Sequence, residues 1–345
     1  MTFVVSQASS RSRLTADLRT LTALRFFAAF WVFMFHIQVI SHEWDGSFAN
    51  FIENGARGVD LFFILSGFVM LHVYEDQISS RRFSFRSYMI KRFARIYPLH
   101  LAMVLVFMLL AAVSRSGLDG FWASVLLLHA WALTDGLVLN GPSWTISAEM
   151  FAYLLFGITA VRHIPTWLLT VAFALTAVLV HLIAVHLGKT AFVHLTWEFG
   201  ALRIVPLFIL GMLLRRMAPY LSVAAGAVLG GAGLVTLVLT AARPDAGYEI
   251  LLPFALLVLS SARLSELSLL PTNWPPLVYL GEISYSLYMV HLLVIIALVE
   301  YLPKLGIPAA PWGVTGAVVI VCSMISYHVI ERPARQWINA RLAGS

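Results

Sequence analysis

Arg25 and His36 sit on one apolar stretch, eleven positions apart. On an α-helix this is about three turns, so both side chains leave from one face, roughly 16 Å apart along the axis. An imidazole there can take or give a proton near neutral pH, and a guanidinium can grip phosphate. Asp60, in the run Gly58-Val59-Asp60-Leu61-Phe62-Phe63, opens the second apolar stretch. Its carboxylate can orient the imidazole and stabilise its protonated form, or simply favour a helix N-terminus through the dipole. Arg92 and Arg95 are i, i+3 neighbours whose two forks can hold phosphate oxygens bidentately; ordinary positive-inside charge is the alternative. Glu149 follows Pro142-Ser143-Trp144-Thr145-Ile146-Ser147-Ala148, with Tyr153 one turn below on the same face. A glutamate entering lipid with no lysine nearby in sequence is expected to face a cavity. Glu282, Ser284, Tyr285, Ser286, Tyr288 and His291 make a polar stripe in an otherwise apolar segment, suited to lining a path or to hydrogen bonding between helices.

The elements that must position these groups are membrane helices. The chain is 60% hydrophobic and 12% charged, about half the charged share of soluble domains, so a water-soluble fold is excluded. A crossing helix needs about 20 mainly apolar residues. Such stretches occur at 21–40, 56–74, 97–113, 144–161, 166–187, 199–214, 222–241, 247–261, 279–299 and 313–330. They predict an all-α, polytopic transmembrane bundle of about ten spans. Basic residues flank them: Arg11, Arg13 and Arg19; Arg81 to Arg95; Arg215 and Arg216; Arg332, Arg335 and Arg341. With ten spans all four groups fall on one side, cytoplasmic by the positive-inside rule, with both termini. An eleventh crossing at 121–139 would split them, so that segment is expected to be re-entrant or interfacial. The net charge of +6 is thereby a matter of orientation in the bilayer, and a nucleic-acid partner is not expected. Residues 1–20 are read as a cytoplasmic arm lacking the features of a signal peptide, 21–337 as one membrane domain and 338–345 as a cytoplasmic tail.

Under this topology His36, Asp60 and Glu149 share the outer third of the bilayer, and Arg25, Arg92 and Arg95 the cytoplasmic side. That pattern fits acid–base chemistry toward the outside and phosphate capture from inside, in one common tunnel. An extended phosphopantetheine arm, on the order of 20 Å, matches the depth between Arg25 and His36. The donor implied is acyl-CoA, and the acceptor a hydroxyl arriving near the outer leaflet. A covalent route is disfavoured because Cys322 is the only thiol and no Gly-x-Ser-x-Gly elbow occurs. No metal-ligand spacing stands out among the eleven histidines. The rival reading is a transporter or flippase for a lipid-linked sugar, against which stands the lack of an internal repeat or of helices broken at matching positions.

The chain resembles the acyltransferase 3 family of membrane O-acyltransferases, from Leu21 to about Trp337. The resemblance rests on the Arg25-to-His36 spacing, the Gly58-Val59-Asp60 run ending in Ser66-Gly67-Phe68, and Arg92-x-x-Arg95 before Ile96-Tyr97-Pro98. Ser143-Trp144 with Glu149 and Tyr153, and Tyr285-Ser286-Leu287-Tyr288 with His291, complete the set in order. It implies an essential His36 assisted by Glu149 or Asp60, and donor binding by Arg25, Arg92 and Arg95. Trp144, Ser147, Tyr153, Tyr288 and His291 are then expected around the substrate. It also implies a bacterial inner-membrane protein that transfers an acyl group, acetyl by the family's habit, from acyl-CoA to a sugar hydroxyl.

Overall fold

A computed structural model describes residues 18–113, 119–160, 164–265 and 274–343. Most of the expected N-terminal arm and the last two residues of the expected tail lie outside the described residues. Among those described there is no strand; helices follow one another along the chain. The ones that matter for the site are α1 (Arg19–Ser41), α3 (Gly58–Ser79), α4 (Phe85–Val113), α6 (Trp144–Thr159), α8 (Gly200–Met217) and α12 (Ser284–Ile295).

Each predicted apolar stretch is mainly helical among the described residues, because backbone groups in lipid must be satisfied within the segment. Among the described residues, seven helical stretches are long and apolar enough to cross a membrane. Helix α6 has 16 residues, α10 (Leu251–Leu264) has 14, and α8 carries Arg203, Arg215 and Arg216, so these three do not meet that measure. The chain is an integral membrane protein. The predicted span 279–299 is interrupted: α11 (Pro275–Glu282) stops at Ile283 and α12 restarts at Ser284, leaving Glu282 exposed outside the stripe it was expected to share.

Helices α3 and α8 pack against each other through reciprocal glycines. A Cβ on Gly67 would run into the Phe208 carbonyl, and one on Gly211 into the Ile64 carbonyl. Without a hydrophobic drive between helices in lipid, such close approach is what dispersion requires. The same pair is tied by charge. Arg203 on α8 donates from Nε and Nη2 to the two oxygens of Asp60 on α3, both at 2.8 Å, with Arg203 2% and Asp60 0% exposed. Arg57 continues the tie outward to the carbonyls of Val193 and Ala246 and to the carboxylate of Asp245.

The segment 121–139 does not cross as a helix. Only α5 (Phe121–Val125) is helical, and Leu127, Ala132 and Leu139 adopt positive φ, rare for residues with a Cβ. Side chains of neighbouring helices hold its carbonyls: Tyr97 bonds Val125, His100 bonds Ser124, and Ser147 bonds Leu127. Irregular backbone of this kind survives at membrane depth only when protein surrounds it, as the full burial of Ala130 and near-full burial of His129 require.

Candidate active site

Helices α1, α3, α4, α6 and α12 line a cavity with about 790 Å³ of space outside the atoms, part of it open to solvent. Arg25, Arg92, Arg95, Glu149, Tyr153 and Tyr288 line it. The i, i+3 spacing of Arg92 and Arg95 on α4 brings both forks to one face, as the sequence predicts.

The three arginines are held differently. The Arg92 guanidinium lies 5.9 Å from the ring centre of Tyr74 and 5.7 Å from that of Tyr153, a doubly stacked cation. Its Nε is buried and has no hydrogen-bond partner among the described residues. Arg95 is ion-paired with Glu331, whose other oxygen accepts from Ser286 at 2.8 Å. Arg25 makes no ion pair among the described residues. A buried donor without an acceptor costs free energy, so Arg92 Nε is a place where an anionic ligand oxygen would be gained.

Glu149 is the one carboxylate among the residues lining the cavity. Its Oε1 accepts from Tyr153 Oη, one turn along α6, and from Ser66 Oγ on α3 at 3.1 Å. Tyr153 therefore serves two neighbours, bonding Glu149 with its hydroxyl and stacking on Arg92 with its ring. Tyr288 also lines the cavity. Its hydroxyl donates to the Pro142 carbonyl at 2.9 Å and accepts from Thr145, and its ring meets Phe62 at 6.0 Å.

His36 is not among the residues lining this cavity. It lies behind Tyr288, across His291: ring centres of Tyr288 and His291 are 5.7 Å apart, those of His291 and His36 4.8 Å. The cavity as lined therefore stops short of the expected base: Tyr288 lines it, and His291 lies between Tyr288 and His36. The Nδ1 of His36 is 2.8 Å from the Val32 carbonyl and 3.2 Å from Nε2 of His291.

Several expected site residues are placed elsewhere. Asp60 does not orient His36; both its oxygens are taken by Arg203, because a fully buried carboxylate needs a matched cation. Glu149 does not contact His36 either and keeps the company of the arginines. Trp144 is buried against the Arg203 guanidinium at 5.2 Å. Ser147 is spent on the Leu127 carbonyl, and His291 is fully buried beside His36, so neither these nor Trp144 lines the cavity. Of the stripe on α12, Tyr285 and Tyr288 line it, while Ser286 bonds Glu331.

Two charged neighbours of the site are absent from the sequence reading. Arg203 is an arginine four residues into an apolar stretch, a signal that intramembrane charge should have raised. Glu331 was hidden at the end of the last span, among the arginines read as orientation signals.

Outside the spans, His194 bridges the exposed Asp245 and Thr190, its Nε2 3.0 Å from Asp245 Oδ1 and its Nδ1 2.9 Å from Thr190 Oγ1. Burial, and then the charge of Arg57, hold its pKa below the ordinary 6.5 against the pull of Asp245.

The sequence profile of an acyltransferase domain, acyltransferase 3, matches residues 18–328. The chain is 37% identical over 163 residues to the acyltransferase MdmB of Streptomyces mycarofaciens, covering 43% of this chain and 41% of that one. It is 27% identical over 321 residues to the putative membrane-bound transacylase BcsY of Komagataeibacter xylinus, 84% of this chain and 79% of that one. With the O-acetyltransferase OatA of Staphylococcus aureus the identity is 22% over 356 aligned positions, 92% of this chain but 57% of OatA. The chain thus spans about two-fifths of MdmB and over half of OatA. No solved structure matches. A matched profile over most of the chain, on a membrane-helix scaffold with its arginines and Glu149 in one cavity, makes this protein a member of the acyltransferase 3 family.

Proposed function

We propose that this acyltransferase moves an acyl group, acetyl in the first instance, from acyl-CoA on the cytoplasmic side to a hydroxyl of a surface or lipid-linked glycan. The bacterial inner membrane is its site, with ten crossings and both termini cytoplasmic. The observation that carries the reading is the arginine cavity, above all the buried, unpartnered Nε of Arg92. Such a site favours the phosphates of a CoA donor. Glu149, held by Tyr153 and Ser66, shares that cavity with the arginines.

His36 acts as general base. It takes the proton of the acceptor hydroxyl at Nε2 while that oxygen attacks the thioester carbonyl, then returns the proton to the departing thiolate sulfur. No covalent intermediate on the protein is needed. Transfer requires the Phe62–Tyr288 pair to part, admitting the acyl end of the arm to the His36 side.

The test is purified protein with radiolabelled acetyl-CoA and candidate glycans. Label on the acceptor supports the reading; movement of a glycan across vesicles without label would replace it with transport. His36→Ala in folded, membrane-inserted protein abolishes transfer, and wild-type turnover by that variant removes the base.

A further inference from the structure

His291 holds the key to the protonation state of His36. It sits on α12 with no exposed surface. Its Nδ1 is 2.7 Å from the Tyr288 carbonyl three residues back, and its Nε2 is 3.2 Å from Nδ1 of His36. The same His36 nitrogen is 2.8 Å from the Val32 carbonyl four residues back.

A neutral imidazole carries one N–H and one bare lone pair. The Tyr288 carbonyl can only accept, so the hydrogen of His291 is on Nδ1 and its Nε2 offers a lone pair. The Val32 carbonyl can only accept as well, so His36 carries its hydrogen on Nδ1, shared between that carbonyl and His291 Nε2. The reverse arrangement fails twice. With its hydrogen on Nε2, His291 would aim a lone pair at the Tyr288 oxygen and an N–H at the N–H of His36. One arrangement satisfies every partner, and it leaves Nε2 of His36 as the free lone pair.

We infer that His291 is a positioning residue that fixes His36 as the Nδ1–H tautomer and steadies the ring while Nε2 receives a proton. The inference rests on His36 acting as the base. It assigns to a second histidine the task that a carboxylate performs in a Ser-His-Asp arrangement. The difference is chemical. A buried carboxylate would bring a second charge that needs its own counter-ion, whereas a neutral imidazole accepts the hydrogen bond without one. When His36 becomes imidazolium, its Nδ1–H strengthens toward both acceptors; when it gives the proton back, nothing buried is left charged.

The same geometry explains why His291 lies where substrate cannot touch it. A group that sets a tautomer must be fixed by its own second bond, and the Tyr288 carbonyl provides that bond. Tyr288 is in turn anchored through its hydroxyl to Pro142 and Thr145, so the chain of constraint runs from α6 through Tyr288 and His291 to His36.

The experiment uses the full chain in nanodiscs with ¹⁵N-labelled histidine, alongside His291→Ala and His291→Gln. In the wild type, the His36 resonances, identified by their loss in His36→Gln, show a protonated Nδ1 and a bare Nε2. A glutamine can accept at its side-chain oxygen from His36 and donate from its amide to the Tyr288 carbonyl. His291→Gln is therefore expected to keep kcat within about fivefold. His291→Ala lowers kcat by about 10- to 100-fold, part of what a general base supplies, with donor KM within about twofold of wild type. A bare Nδ1 on wild-type His36 overturns the inference, as does an unimpaired His291→Ala or a folded His291→Gln as poor as His291→Ala. If the alanine variant does not fold, the wild-type spectrum still decides. Turnover by His36→Ala is a separate result and removes the base itself.

Discussion

Arg95 and Glu331 form an ion pair across 236 residues of sequence, with the carboxylate 1% exposed. The last membrane helix thereby holds one of the three guanidinium groups that line the cavity. A charge buried without its partner is costly, about 3–5 kcal/mol when one member of a pair is removed. Glu331→Ala should lower the thermal unfolding midpoint in detergent and raise the donor KM, because Arg95 loses its anchor. Glu331→Gln, which keeps the bond from Ser286, should lose less of both.

Arg92 has a different task and a different signature. Its Nε has no acceptor among the described residues, so its worth is realised with ligand. A hydrogen bond to a charged group contributes about 1.5–3 kcal/mol. Arg92→Lys, which removes the fork but keeps the charge, should raise the KM for acetyl-CoA by about 10- to 150-fold and leave unfolding almost unchanged. Steady-state kinetics beside a melting curve separate it from the Glu331 variants.

Asp60 and Arg203 should behave as a structural pair. Asp60→Asn and Arg203→Met each leave one buried partner stranded and should cost about 3–5 kcal/mol of stability. The double variant Asp60→Leu with Arg203→Met should recover most of it and, per folded molecule, acylate normally. A double variant that folds but is inactive would return Asp60 to the chemistry.

His194 predicts a pH effect at the surface. Its folded pKa is below the ordinary 6.5, so between those two values the unfolded chain binds more protons than the folded one. Stability is then full above about pH 6.5 and declines as pH falls toward the depressed value. The unfolding midpoint should drop between about pH 7 and pH 5, and His194→Gln should flatten that part of the curve. An unchanged slope in the variant would assign the effect to another group.

Local pattern carried the helices, and it carried the residues whose neighbours are also local. Arg92 and Arg95, or Glu149 and Tyr153, meet because i, i+3 and i, i+4 positions share a helix face. The apolar runs fixed where helices lie because lipid allows little else. What one sequence could not supply is which face meets which. Asp60 and Arg203 are 143 residues apart, and His36 and His291 are 255 apart. Nothing in either local context names the partner, so Asp60 was assigned to the imidazole that a second histidine occupies. Segment 121–139 is helical only at Phe121–Val125, and its positive-φ residues and borrowed hydrogen bonds depend on α4 and α6 being beside it. Glu331 meets the same limit: its partner Arg95 is 236 residues away, and nothing beside it in the sequence names that arginine.

The Phe62–Tyr288 contact has a bearing on the cell as well as on the reaction. A permanently open passage lined by three arginines would conduct chloride and let water follow, dissipating the ion gradients that an energised membrane stores. On the proposed reading, the two aromatic rings in edge contact, one of them moored to Pro142 and Thr145, would part only while a donor occupies the gap, and leakage would be held to that interval.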